Sequence, residues 1–484
     1  MSVVNRYYKR TVEDVIVKSF ANNKIVSILG VRQCGKSTLV EHLFPNIDTI
    51  SLKTDFMVAQ AKTNPDSFVR GLSIPAFIDE AQRAPEIFGS LQETVDKNNR
   101  YSQFILSGSN KQKLDEKIKE SLSGRTSIIE LSGLSLREIN EIDFNKHFVP
   151  SEEYLNERKK CLKDYADLWS IIHRGSYPEL YDNPSKDWEE FYSSYVQTYI
   201  EKDVLTDTKI KDITAFIRFL TAVAARTGEI LNYDNIANDV GVSPVTIKEW
   251  ISILVKTNII CLLQPYYNSH LNRAIKTPKI YFRDTGLAAY LTSWLTKEQL
   301  EKGAKSGAFF ETFVVNEIIK TFANEGKDYS KRLFFYNGKD KTRKKIDKDG
   351  NEIEIQLENE IDLIIEESGV LYPIEIKKKD APSINDALAF DVLDKDIEKK
   401  RGMGVIFSSN KNKVYLRDNL VCLPLEYIWY KLTFYKKSKL FSFLWLHFYN
   451  EYEVKNLWIT QIGIKPLLFT KFIHVLFVMV IMMD

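Results

Sequence analysis

The run Ile25-Val26-Ser27-Ile28-Leu29-Gly30-Val31-Arg32-Gln33-Cys34-Gly35-Lys36-Ser37-Thr38 constrains the fold of this chain more than any other stretch. An apolar, strand-type segment ends in a glycine, four residues intervene, and Gly-Lys-Ser follows. The apolar pattern then takes helical spacing through Leu39, Val40 and Leu43. This is the complete phosphate-loop pattern, G-x-x-x-x-G-K-[ST], with a strand before it and a helix after it. Gly30 and Gly35 permit backbone angles that a Cβ would block. Consecutive N–H groups from Gly30 to Thr38, those of Val31, Arg32, Gln33 and Cys34 among them, can therefore converge on an anion. The helix that begins near Lys36 aims its positive end at the same place. Lys36 is expected to reach the β- and γ-phosphates, and the Ser37 hydroxyl to ligate Mg²⁺, so ATP and Mg²⁺ are the expected cofactors.

The next informative stretch is Pro75-Ala76-Phe77-Ile78-Asp79-Glu80-Ala81-Gln82. A short apolar run ending in Asp-Glu describes a buried parallel strand that delivers two carboxylates at its C-terminal edge, where ligands sit in open α/β sheets. Asp79 is expected in the Mg²⁺ shell, and Glu80, one residue on, as the group that polarises the attacking water. Gln103-Phe104-Ile105-Leu106-Ser107-Gly108-Ser109-Asn110 reads as a further buried strand. Ser107 and its neighbours serve either as γ-phosphate or water sensors or as a turn and helix cap. Arg125, after Leu122-Ser123-Gly124, reads either as a cation for the transferred phosphoryl group, in its own subunit or a neighbour's, or as a surface arginine. Residues 11–23 and 86–98 read as helices and 47–52 as a strand with imperfect alternation.

These residues carry a resemblance. The chain resembles the prokaryotic AAA-type P-loop ATPases whose C-terminal half is a domain of unknown function. The signatures are Gly30–Thr38, Phe77-Ile78-Asp79-Glu80-Ala81-Gln82, Leu106-Ser107-Gly108-Ser109, Leu122-Ser123-Gly124-Arg125, Leu134-Ser135-Leu136-Arg137-Glu138 and Gly175-Ser176-Tyr177-Pro178-Glu179. The resemblance spans residues 10–430 and implies ATP binding and hydrolysis, with a C-terminal half joining a winged helix to a restriction-endonuclease-like fold. Lys202 stands where that family usually has an arginine.

The expected class is α/β: a parallel P-loop sheet with flanking helices over residues 1–140, then a helical connector over 141–212. A winged helix over 213–300, a restriction-endonuclease-like α/β domain over 301–430 and an aromatic, apolar tail over 431–484 complete the chain. In the winged-helix stretch, Gly241-Val242-Ser243 is a tight turn, Ser243 caps a helix with Pro244 at its first position, and two strand-like runs follow. Thr246, Lys248, Glu249 and Lys256 are candidates for that helix's outer face, and His270, Arg273 and Lys276 for the wing loop. DNA contact through phosphates and docking on a protein client both remain open.

The second constellation lies in the nuclease-like stretch. Gly307 to Phe322 reads as a helix presenting Glu311 and Glu317. A charged excursion over 338–359 reads as a solvated insertion with a hairpin tip at Asp347-Lys348-Asp349-Gly350. The runs 360–365 and 370–377 then read as strands joined by a turn. Period-two alternation puts Glu375 and Lys377 on one face, near Asp362 if the strands pair. With Glu311, this is the metal-dependent nuclease arrangement: carboxylates for Mg²⁺ and a lysine to orient water. The opposing reading is ordinary charge alternation on a half-exposed strand. The expected functions are therefore an ATPase acting on an unknown partner, a nucleotide-gated nuclease, or a docking switch without turnover.

Composition narrows the setting. A net charge of +2 over 484 residues neither demands nor excludes nucleic acid. Cys34, Cys161, Cys261 and Cys422 are far apart, so neither a disulfide framework nor a zinc site is expected. Reduced thiols and a cytoplasmic location are the expectation, with no signal peptide at Met1–Arg10. The apolar stretch from Leu467 to Met483 is broken by Lys471 and His474, so a membrane anchor is not expected. Homo-oligomerisation is left open.

Overall fold

The computed structural model describes residues 6–109, 121–157, 167–198, 210, 212–267, 277–346, 352–395 and 398–429, of which 339–346, 352–358 and 395 are described as backbone only. Contacts gather the chain into one unit over Met1–Leu432 and a second over Thr433–Asp484; the second, and with it the expected tail over 431–484, lies outside the described residues. The wing-loop candidates His270, Arg273 and Lys276, the substituted Lys202, Asn110 and the hairpin tip 347–350 also lie outside them.

The first sheet follows from apolar runs too short for helices. Its strands are β1 (Ile25–Leu29), β2 (Asp48–Ser51), β3 (Ala76–Asp79), β4 (Phe104–Gly108) and β5 (Thr126–Glu130), all parallel, in the order β2-β3-β4-β1-β5. The three central strands are wholly buried, as continuous apolar runs in a parallel sheet require. The weak alternation of β2 has a plain cause: it is an edge strand, half of it exposed. Alternation splits the central side chains between two cores. Ile25, Leu29, Ile78 and Leu106 pack with the helix Ile87–Lys97 on one face. Val26, Ile28, Phe77 and Ile105 pack with the helices Glu13–Asn22 and Lys36–Leu43 on the other.

Beyond this sheet the described residues form two further cores, a smaller one of Tyr266, Phe334, Ile361, Ile364, Leu371 and Phe390 against the C-terminal sheet and a larger one that crosses the expected domain borders. One apolar cluster runs from Leu136 through the short helices of 152–195, the helices Ile213–Ala224, Tyr233–Val240, Pro244–Lys256 and Ser306–Asn324, and on to Trp429. Nine further strands form a mixed sheet: β6 (Ile260–Pro265), β7 (Lys279–Phe282), β8 (Leu333–Ile346), β9 (Glu352–Glu367), β10 (Val370–Lys377), β11 (Lys400–Arg401), β12 (Gly404–Ser408), β13 (Val414–Arg417) and β14 (Leu420–Pro424). The order is β13-β14-β12-β10-β9-β8-β6-β7, with β11 beside β10. The parallel pairing of β6 with β8, Gln264 opposite Phe334, makes the two strands after the helix-turn-helix part of the C-terminal sheet. The turn behaves as its residues dictate. Gly241 is left-handed at φ 79°, Ser243 accepts the Thr246 N–H, and Pro244 opens the helix. The charged excursion over 338–359 is more regular than an insertion in solvent: its backbone continues β8 and β9 as an antiparallel ribbon, with Lys341 opposite Leu357 and Ile346 opposite Glu352. No helix among the described residues is long and apolar enough to cross a membrane.

Candidate functional site: phosphate loop and acidic strand end

The loop after β1 carries two left-handed residues, Gln33 at φ 63° and Gly35 at φ 93°. Gly35 is the residue before the helix Lys36–Leu43, so the helix starts with its first N–H groups turned to the loop and no side chain capping them. Gly30 is needed for a different reason. A Cβ there would stand 2.2 Å from the Leu131 carbonyl oxygen. Lys36 is buried, and its ammonium donates to the loop's own carbonyls, Gly30 at 3.0 Å and Val31 at 2.9 Å. Cys34 is also buried, its thiol facing the Leu131 carbonyl.

The acidic residues meet this loop. The Ser37 hydroxyl donates to Asp79 Oδ2 at 2.8 Å, and Ser107 donates to Asp79 Oδ1. The same Ser107 hydroxyl accepts the Glu80 N–H at 3.3 Å, so β4, lying between β3 and β1, ties both carboxylate residues together. Lys53, which follows β2 on the same sheet edge, pairs with Asp79 Oδ2 at 2.6 Å. Burial alone would raise the Asp79 pKa, but hydrogen bonds from Lys53, Ser107 and Ser37 outweigh it and hold the carboxyl below its ordinary value. Glu80 is left-handed at φ 57°, which swings its side chain out of the strand line. Its Oε2 accepts from Ser109 at 3.2 Å and from Gln82. Gly30, Lys36, Ser37, Asp79, Glu80 and Ser107 thus come together, as their sequence pattern anticipates.

Arg125 does not join them. It precedes β5, whose first residue, Thr126, pairs with Ile25 at the start of β1. It therefore stands on the opposite edge of the sheet, about five strand residues or roughly 16 Å from the loop. There its guanidinium binds Asp96 on two bonds, 2.6 and 2.8 Å. Neutralising charge in its own subunit is excluded by strand direction.

Sequence reasoning missed Arg10. It is buried, donates to Cys34 O at 2.9 Å and Ser132 O at 2.7 Å, and pairs with Glu138 at 3.1 Å. This clamp explains the Leu134–Glu138 motif: Ser135 and Glu138 form a reciprocal helix cap. Glu317 accepts the Leu136 N–H at 2.9 Å, and Arg137 donates to Ile428 O at 2.7 Å. The Gly175–Glu179 motif is a joint too. Ser176 donates to Asp284, the cap of the helix Thr285–Leu291, and Gly175 is left-handed, with no room for a Cβ beside Tyr192.

The second constellation assembles, with a cation from outside the expected set among its carboxylates. Glu311, Asp362, Glu375 and Lys377 converge, and Lys279 of β7 enters among them. Its ammonium lies 3.1 Å from Glu311, 2.5 Å from Glu360 and 3.7 Å from Asp362. Tyr281 donates to Glu311 at 2.6 Å, the Ile376 N–H to Asp362 at 2.8 Å, and Lys377 pairs with Glu375. Burial, then the Asp362 charge, raises Glu375 to about 8 and Glu311 to about 7. Burial opposes the Lys377 charge, yet Asp362 and Glu375 raise its pKa above the ordinary lysine value. Among the described residues no three His, Cys, Asp or Glu side chains are grouped to hold a metal ion. The expected set of Glu311, Asp362, Glu375 and Lys377 thus comes together, with the Lys279 ammonium among its carboxylates. The neighbouring lysines are also engaged, Lys378 over the Trp169 ring and Lys379 on Asp386.

Comparison with known proteins agrees with the nucleotide half. Residues 22–140 match the family model described as AAA domain, 165–298 the domain of unknown function DUF8612, and 355–428 the domain of unknown function DUF4143. Uncharacterized protein Rv2008c of Mycobacterium tuberculosis and Uncharacterized protein Mb2031c of Mycobacterium bovis are each 25% identical over 405 residues, covering 84% of this chain and 80% of theirs. Among solved structures, the Walker-type ATPase PABY2304 of Pyrococcus abyssi aligns at 12% identity and a TM-score of 0.37, over 59% of this chain and 96% of that one. The chain carries an N-terminal AAA-type P-loop domain, followed by two domains of unknown function.

Proposed function

We propose that this chain binds ATP in the loop Gly30–Thr38 and hydrolyses it, and that its C-terminal half passes the cycle on to a protein partner. The observation that carries the reading is the 2.8 Å contact between Ser37 and Asp79, which joins a complete phosphate loop to an acidic strand end. The loop amides and the start of the helix Lys36–Leu43 hold the phosphates, and Lys36 turns from the Gly30 and Val31 carbonyls to the β- and γ-oxygens. Ser37 and Asp79 fit a Mg²⁺ ion, which needs only one or two protein ligands when phosphate and water supply the rest. Bound there, the ion would neutralise phosphate charge. Glu80, oriented by Gln82 and Ser109, takes a proton from the attacking water. Ser107 fixes the spacing of Asp79 and Glu80.

The exposed face of the helix Pro244–Lys256 supports a protein client over DNA. It carries Val245, 67% exposed, beside Lys248 and the oppositely charged Glu249, with Lys256 half-buried in the last turn. A phosphate backbone is bound by clusters of cations, and this face has none. The pairing of Arg125 with Asp96 supports the surface-arginine reading, and a role at a nucleotide would require a neighbouring copy in a homo-oligomer.

Steady-state phosphate release tests the reading, measured alone and with duplex or single-stranded DNA. Turnover without stimulation by either DNA is the expected result. No turnover by the folded protein would remove the ATPase assignment, and strong stimulation by DNA would remove the protein-client assignment.

A further inference from the structure

The Asp362…Glu375-x-Lys377 pattern is intact in the sequence, yet the position a divalent ion would take is contested by a residue from outside it. Lys279 is 2% exposed and reaches three carboxylates from two elements, Glu311 of the helix Ser306–Asn324 and Glu360 and Asp362 of β9. Its ammonium donates to Glu311 at 3.1 Å and pairs with Glu360 at 2.5 Å, while Asp362, 3.7 Å away, is an ion-pair partner without a hydrogen bond. Tyr281 lies two residues on, on the same face of β7, and also binds Glu311.

We propose that Lys279 is the resident cation of this cluster: its ammonium fills the place of a divalent ion and makes the cluster an ionic joint fastening β7 to β9 and to the helix Ser306–Asn324. A Mg²⁺ ion needs six oxygens at about 2.0–2.1 Å, and an ammonium lying between Glu311 and Asp362 takes up the positive charge and the space that such an ion would bring to them. Glu311, Glu360, Asp362 and Glu375 outnumber Lys279 and Lys377 by four to two, and the excess is offset by protons, since burial and the Asp362 charge raise the pKa values of Glu375 and Glu311. The joint has a mechanical setting. Arg283, on the same face just past β7, binds Glu130 at 2.9 Å and Ser132 at 2.8 Å, next to the end of β5. The short strand β7 therefore runs from this cluster to the edge of the nucleotide-binding sheet.

The test is Mn²⁺ uptake by the full-length, nucleotide-free protein, read from the loss of the free-ion signal in electron paramagnetic resonance. Wild type and Asp362→Asn should take up Mn²⁺ alike. Lys279→Met should gain one site per chain, at least tenfold tighter than any in wild type, and Lys279→Met with Asp362→Asn should lose it. A wild-type site that Asp362→Asn abolishes would overturn the proposal. So would a folded Lys279→Met protein that takes up no more Mn²⁺ than wild type. Should Lys279→Met not fold, the wild-type melting temperature decides: no rise with added Mn²⁺ supports the joint, and a rise that Asp362→Asn removes overturns it.

Discussion

Ser37 Oγ donates to Asp79 Oδ2 across 2.8 Å, although β4 separates the strands that deliver the two residues. The contact works because both strands end at the same sheet edge and because Ser107 of β4 holds the other Asp79 oxygen. Asp79 is thereby fixed before any nucleotide arrives, and Glu80, one residue on, inherits that position.

Glu80→Gln should preserve ATP affinity and slow hydrolysis by about 100-fold or more, the usual contribution of a positioned general base. Filter binding of labelled ATP alongside phosphate release checks this. Hydrolysis at the parental rate would take the water-activating role away from Glu80.

Arg10→Ala should destabilise the protein by about 3–5 kcal/mol, because Glu138 is left as a buried charge without its cation. The loop also loses its anchor at Cys34 O, so ATP affinity should fall as well. Arg10→Lys should recover only part of either effect, since one ammonium cannot span Cys34, Ser132 and Glu138 as a guanidinium does. Urea unfolding midpoints and nucleotide titrations report the two effects separately.

The nucleotide half was legible in sequence because its determinants are local. A contiguous loop, one Asp-Glu at a strand end and one Ser in the next strand all fall on the edge that parallel order assigns to ligands. Lys53 lies on that edge too, but a lysine after an edge strand has no pattern of its own. Arg125 shows the limit of motif reading: its neighbourhood looked catalytic, and only the direction of β5 places it on the far edge. Lys279 was beyond reach for another reason. Its partners sit on the helix Ser306–Asn324 and on β9, and they meet it only because β6 pairs with β8, a long-range register that no local periodicity encodes. The Asp362…Glu375-x-Lys377 pattern was therefore legible as a cluster, while the lysine of β7 that enters it was not.

The acidic cluster also predicts a pH dependence. Glu375 and Glu311 are raised from 4.5 to about 8 and about 7, so the folded state holds their protons more tightly than the unfolded chain. That contribution is complete below the unfolded value and is lost as pH climbs through about 7 and about 8. Thermal melts between those limits should show the wild type losing stability with rising pH, and Glu375→Gln losing less of it. Parallel curves for the two proteins would contradict the burial argument.

The most direct test of the central claim is calorimetric titration of ATP with Mg²⁺ into wild type and Lys36→Ala. The account predicts saturable binding at one site per chain in the wild type. In Lys36→Ala it predicts affinity weaker by roughly ten- to a hundredfold, the loss of a charge-assisted contact of about 1.5–3 kcal/mol. No uptake by folded wild-type protein, or equal affinity in the two proteins, would contradict it.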